Sequence, residues 1–123
     1  MKNVKVVLGT YLYADQTTVT WKWRSEATIV IGMLPSRAPV GSPAVAFVHE
    51  LGHVATLPKR WGAAMKCYRS NPQYWECRAW EWAMQKYGAD PVMRDNIRAR
   101  ARVCLPSYGV PSSDIEWAVR WPV

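Results

Sequence analysis

The sequence predicts an α+β fold: an N-terminal three-stranded antiparallel sheet packed against one histidine-bearing helix, with two to three further helices behind it. Three observations carry this prediction. The first third alternates in β-branched and aromatic residues, the remainder has helical spacing cut by proline and glycine, and a proline-rich stretch, "PSRAPVGSP" (35–43), separates the two. A chain of 123 residues, half of them hydrophobic, suits a single compact domain over 1–123 with one core.

The strands come first. "VKVVLGTYLY" (4–13), "TTVTWKWRS" (17–25) and "ATIVIGML" (27–34) are rich in Val, Ile, Thr, Tyr and Trp. Asp15-Gln16 and Ser25-Glu26 stand where tight turns would join them, so the simplest order is an antiparallel meander. Along the second strand Val19, Trp21 and Trp23 share one face. The two tryptophans are expected to line the sheet beneath the helices.

The helices follow. Ser42 can cap, and Pro43 fits a first helical position where no N–H is needed, so a helix should run to about Leu57 and stop before Pro58. Val45, Val48, Leu51 and Ala55 give it one apolar face toward the sheet. "PKRWGAAMKCYRSNPQ" (58–73) reads as a connection with a short helix at 62–69. Asn71-Pro72 starts a helix over 73–88 that Gly88 ends. Asp90 and Pro91 start another over 89–104, and Ser113 with Glu116 has capping-box spacing for a last short helix in 112–121. Trp75, Trp80 and Trp82 read as packing residues, and Trp61, beside a glycine, as a residue near a cleft mouth.

Sixteen Lys and Arg against nine acids give a net charge of +7. Such a balance favours anionic partners without requiring one. Arg94, Arg98 and Arg102 recur at four-residue spacing, with Arg100 nearby, and could track a phosphate backbone. The plainer reading is a solvated face in which Asp95 pairs with Arg98 while Met93, Ile97 and Cys104 pack inward. Nucleic acid is thus a possible partner but not the favoured one. The start of the chain does not read as a signal peptide, and no run of about 18 apolar residues is present to span a membrane. Three cysteines, Cys67, Cys77 and Cys104, cannot all pair within the chain. A reduced, cytoplasmic protein is expected, with Cys67–Cys77 the candidate disulfide in any other compartment.

The strongest chemical signal is "AVAFVHELGHVATLP" (44–58). The protein has only two histidines, His49 and His53, one helical turn apart, with Glu50 directly after the first. At this spacing both imidazoles share a face and can reach one ion, while Glu50 flanks that face. Neutral imidazoles bind Zn²⁺ at about 2.0–2.1 Å, and catalytic zinc uses three protein ligands with one position left open. Gly52 costs about 1 kcal/mol in a helix relative to alanine, which a close neighbour would explain. The third ligand is open among Glu76, Glu81, Asp90 and the cysteines, because Lys59 stands where a third histidine would follow. Helical phase prefers Glu76, which shares an inward face with Ala79, Trp80, Ala83 and Tyr87; Glu81 is the alternative.

"ATIVIGMLPSRAPVGSPAVAFVHELGHV" followed by "ECRAWEWA" resembles the gluzincin metallopeptidases, most of all the minimal zincin domain of the ImmA/IrrE type. Residues 27–88 carry the resemblance; HELGH is its specific part, and Glu76, Ala79, Trp82 and Ala83 match the weaker second motif. The resemblance implies one Zn²⁺ per chain on His49, His53 and Glu76, with Glu50 as general base. It also implies cleavage of a protein or peptide substrate that pairs with an edge strand near "ATIVIG". A second donor to the oxyanion is commonly a His or Tyr in such enzymes. Here Tyr68, Tyr74, Tyr87 and Tyr108 are candidates, with Arg69 or Arg78 also available. Such compactness suits a phage-type or mobile-element protein. The alternative is a zinc-retaining binding module, DNA- or repressor-associated, that docks through its basic helix.

Overall fold

The computed structural model describes residues 3–13, 16–22, 26–35 and 43–123. The strands are β1 (Asn3–Tyr13), β2 (Thr17–Lys22) and β3 (Glu26–Leu34). They lie in the order β1-β3-β2, with β1 parallel and β2 antiparallel to β3. The sheet is therefore mixed, and the expected meander is corrected. Ala27 and Ile29 of β3 are fully buried, and a strand buried in this way is best satisfied with neighbours on both edges. In register, Ile29 pairs with Val6 on one side and Val19 on the other. β1 lies outboard with Val4, Val6, Val7 and Leu8 all exposed.

This order moves the functional edge. "ATIVIG" is the central strand, so it is not an edge available to a substrate; in the described sheet the edges belong to β1 and β2. Gln16 is tied to the end of β1: its N–H donates to the Tyr13 carbonyl at 2.8 Å and its side chain accepts from the Tyr13 N–H. Ser42, Asp15, Trp23 and Ser25, invoked above for a cap, for turns and for the sheet face, lie outside the described residues.

Five helices are seen among the described residues: α1 (Pro43–Thr56), α2 (Trp61–Ser70), α3 (Pro72–Tyr87), α4 (Pro91–Cys104) and α5 (Ser112–Ala118). None is long and apolar enough to cross a membrane. The Asn71 side chain caps α3 by accepting from the Tyr74 N–H, and Asp90 caps α4 by accepting from the Val92 N–H. Proline occupies the first turn of both helices, where its missing N–H has no cost. Gly88 does end α3, but with right-handed φ of −71°. Space rather than handedness selects glycine there, because an added Cβ would lie 2.7 Å from Met84 Sδ and 2.8 Å from Trp121. The capping box at Ser113 does not form: α5 begins after Pro111 without a side-chain cap, and Glu116 instead holds Arg102.

α1 has two apolar sides rather than one. Val45 and Val48 pack with Trp80, Ala83 and Met84 of α3 and with Ile97 and Ala101 of α4. Phe47, Leu51 and Val54 pack with Trp21, Ala27 and Ile29 of the sheet, while Ala55 is exposed. α1 is thus held between sheet and helices, and its remaining face, bearing His49, Glu50 and His53, is fixed from both sides. Burial of each large apolar side chain in these clusters contributes roughly 1.5–3 kcal/mol. Between α4 and α5, Leu105–Tyr108 forms a 3₁₀ turn closed by Gly109 at φ +76°, which the sequence did not announce. It delivers Tyr108 to the open face of α1.

Candidate metal centre

His49 and His53 stand one turn apart on α1, their ring centroids 4.7 Å from each other. Both are buried, as is Glu76 on the second turn of α3. His49 Nε2 lies 3.1 Å from Glu76 Oε1, and His53 Nε2 lies 2.7 Å from Glu76 Oε2. One ligand atom from each of the three side chains falls within 4.8 Å of the others, a group able to hold a metal ion. Two imidazoles and a carboxylate are a donor set that suits zinc.

The close approach of α1 and α3 makes this possible. A Cβ on Gly52 would lie 2.9 Å from the Cα and carbonyl carbon of Ala79, and closer still to its carbonyl oxygen. Glycine at one helix and alanine at the other let the backbones nearly touch, which is the close neighbour that the helical glycine called for. Glu76, one turn before Ala79, is thereby brought to the histidines.

The rings are oriented by packing. His49 stacks on Trp80 at a centroid distance of 4.1 Å, and His53 meets the edge of Tyr68 at 5.8 Å. Their Nδ1 atoms are buried without a protein partner among the described residues, so no carbonyl or carboxylate there sets the rings. Tyr68 also donates its hydroxyl to Glu76 Oε2 at 2.9 Å.

Electrostatics follow from burial and these contacts. Burial lowers the His49 pKa to about 4, overriding its hydrogen bond to Glu76, and the Arg100 charge adds to the lowering. Burial opposes the charged form of His53 as well, but Glu76 outweighs it and raises that pKa. Burial would raise Glu76, yet the bonds from His49 and His53 hold its carboxyl well below the usual range. Burial pushes Glu50 up to about 7. Burial and the Glu76 charge push the Tyr68 phenol above its ordinary value.

Glu50 accepts a hydrogen bond from Thr17 Oγ1 of β2 at 3.3 Å and lines, with the three donors, a cavity of about 290 Å³. Thr17, Thr18 and Val19 form one wall of that cavity, and Tyr68 and Tyr108 also line it. The other tyrosines are not brought to it: Tyr74 packs on Trp75, and Tyr87 on Trp82. Neither Arg69, exposed on α2, nor Arg78 lines the cavity, and Arg78 pairs with Glu81. Glu81 also accepts from Arg120 at 2.8 Å, so this acid ties α3 to the C-terminal segment and stands apart from the histidines. Asp90 is spent as the α4 cap. The cysteines are free thiols, and none belongs to the donor group. Trp61 is half exposed at the start of α2 and does not line the cavity.

The arginine row is engaged within the chain. Arg94 donates to the Gly88 carbonyl and lies over Trp121, Arg98 donates to the Val119 carbonyl, and Arg102 forms a two-point pair with Glu116. Arg98 therefore meets a carbonyl rather than the expected Asp95. Three residues were not singled out from sequence: Thr17, Trp80 as a ring support, and buried Arg100. For Arg100 a signal existed, since it follows Ile97 by three and precedes Cys104 by four, on the inward phase of α4. No protein-family model and no characterised protein matches this sequence, and no solved structure matches its fold.

Proposed function

We propose that this chain is a small zinc-dependent metallopeptidase of the gluzincin kind, hydrolysing peptide bonds in a protein or peptide substrate. The observation that carries the reading is the convergence of His49 Nε2, His53 Nε2 and the Glu76 carboxylate beside Glu50 in one cleft. Zinc, when bound, supplies Lewis acidity toward a carbonyl oxygen and toward water. Glu50 takes a proton from the attacking water and returns it to the leaving amine nitrogen. Thr17 orients that carboxylate. The Tyr108 hydroxyl is the donor available to a developing oxyanion, since Tyr68 donates its own to Glu76. Thr17–Val19 of the β2 edge, in place of β3, is the strand beside which an extended substrate would lie.

The alternative of docking through the basic helix draws no support from Arg94, Arg98 and Arg102, whose guanidinium groups already have partners within the chain. Protein purified without chelator is expected to carry about one zinc per chain, and His49→Ala little. Glu50→Gln is expected to keep the zinc and lose cleavage of an unfolded protein substrate such as casein. Metal-free protein, or cleavage that survives Glu50→Gln, would overturn the reading.

A further inference from the structure

The two edges of the sheet differ. β2 is short and borders the cleft through Thr17–Val19, whereas β1 is eleven residues long and pairs with β3 alone among the described strands. Val4, Val6 and Leu8 stand in register with Ala27, Ile29 and Ile31 of β3. Ala27 and Ile29 are fully buried in the cluster that includes Val54 of α1, and Ile31 packs against the same cluster. Register partners share a face, so Val4, Val6 and Leu8 continue the core-facing side of the sheet beyond the cover of α1. They are 39%, 48% and 60% exposed, and Val7 on the opposite face is 37% exposed.

A long apolar edge strand offers a row of N–H and C=O groups on which another strand can pair. Edges that stay single are guarded by proline or by several charges; Asn3–Tyr13 has no proline and one charge, Lys5. The pairing with β3 shifts register only after Gly9, so Asn3–Gly9 is regular. A substrate is not the occupant, because β3 stands between this segment and β2, and none of Asn3–Gly9 borders the cleft. A second copy of the chain fits the edge. Antiparallel pairing about a twofold axis at Val6 sets Val4 against Leu8 of the second copy and Lys5 against its Val7. Apolar rows then meet on the α1 side, and the two lysines do not face each other. Asn3–Gly9 leaves roughly 500 Å² open in each copy, so covering it removes about 1,000 Å² in all, the lower bound for a specific interface and the size of a reversible one.

We propose that β1 is a dimerisation edge, on which two copies of this chain join antiparallel about Val6 into one continuous sheet. Each copy keeps its β2 edge, and with it its cleft, at the outer end of that sheet. The pairing does not depend on metal or on peptide cleavage.

Sedimentation equilibrium of the full chain tests this. The buffer holds about 0.15 M salt, which screens the repulsion between two chains of charge +7 beyond about 8 Å. The parent should pass from monomer to dimer with a dissociation constant of about 1–50 μM, and no further. Leu8→Lys sets a charge against Val4 of the second copy, and Val6→Lys sets two charges face to face on the axis. Each should weaken association at least about tenfold. Val4→Glu added to Leu8→Lys places opposite charges across the axis twice and should recover at least about threefold. Tyr11→Lys, at a position 92% exposed and outside the regular segment, should associate like the parent. Circular dichroism checks that each variant is folded; if Val6→Lys is not, Leu8→Lys and the double variant decide. A monomer throughout, assembly beyond the dimer, or a dimer indifferent to Leu8→Lys overturns the proposal, and absence of recovery in the double variant overturns the register about Val6.

Discussion

Gly52→Ala sets two effects against each other at the centre of the molecule. Alanine is the better helix former by about 1 kcal/mol, so a surface glycine replaced this way would stabilise α1. At this position the new methyl would stand 2.9 Å from Ala79 Cα, against an ordinary contact of 3.4–4 Å. The neighbour is backbone, which cannot rotate away as a side chain would, so α1 and α3 must separate by about 0.5–1 Å. Overpacking of this kind costs about 1–3 kcal/mol, and a rigid neighbour argues for the upper half of that range. The net expectation is a loss of about 1–2 kcal/mol. Glu76 moves with α3, and a site built for one ion tolerates only about 0.5 Å of displacement. Zinc affinity should therefore fall at least about tenfold. Urea denaturation of chelator-treated protein measures the first quantity, and zinc titration against a chromogenic chelator measures the second. A variant that gains about 1 kcal/mol and binds zinc like the parent would refute the packing argument.

Other expectations separate neighbouring residues. Glu76→Ala should lose zinc, whereas Glu81→Ala should keep it and lose no more than about 1 kcal/mol in denaturation, since it breaks part-exposed pairs with Arg78 and Arg120; the reverse pattern in metal analysis would reassign the third donor. In metal-free protein the Glu50 carboxyl has a pKa of about 7 when folded, against an ordinary 4.5. A raised carboxyl pKa means that folding takes up protons, so stability is full below about pH 4.5 and declines as pH rises to about 7, by at most ~3 kcal/mol. Denaturation across that range should show a decline that Glu50→Gln flattens, and identical slopes in the two proteins would sink the assignment. Arg102→Ala removes a two-point pair whose side chains are 52% exposed, so no more than about 1 kcal/mol should be lost in a melt, and less at high salt.

Local patterns were legible where physics is local. Asn71, Asp90 and their following prolines mark helix starts because a side chain and a missing N–H act within one turn. The strands themselves were visible as segments, but their order was not. Turn residues argue for a meander of neighbours, whereas pairing is decided by which strand gains most from burial on both sides. "ATIVIG" is the most apolar strand and takes the centre, and the chain carries β2 past it to the far edge. The capping-box spacing at Ser113 failed for a related reason: Glu116 found Arg102 on another helix, a partner that no window of local sequence contains.

The candidate site was more legible than the sheet, and helical phase explains why. HELGH places two imidazoles on one face whatever the tertiary structure, and Gly52 reported that something would lie against that helix before the neighbour was known. The phase of α3 preferred Glu76 over Glu81 by putting it with Ala79 and Ala83, the small residues that let helices meet; Glu81 turned to Arg78 and Arg120 instead. The same rule applied to α4 puts Arg100 with Ile97 and Ala101, away from the phase of Arg94, Arg98 and Arg102. Counting arginines by proximity in sequence hides that distinction, since Arg98, Arg100 and Arg102 look like one row. A charge on an inward phase has a desolvation cost that a solvated row lacks, and that cost is what singles it out. Glu76 and Arg100 are thus the same kind of signal on two helices, an ionised residue where the pattern calls for an apolar one, and both line the cleft beside Glu50.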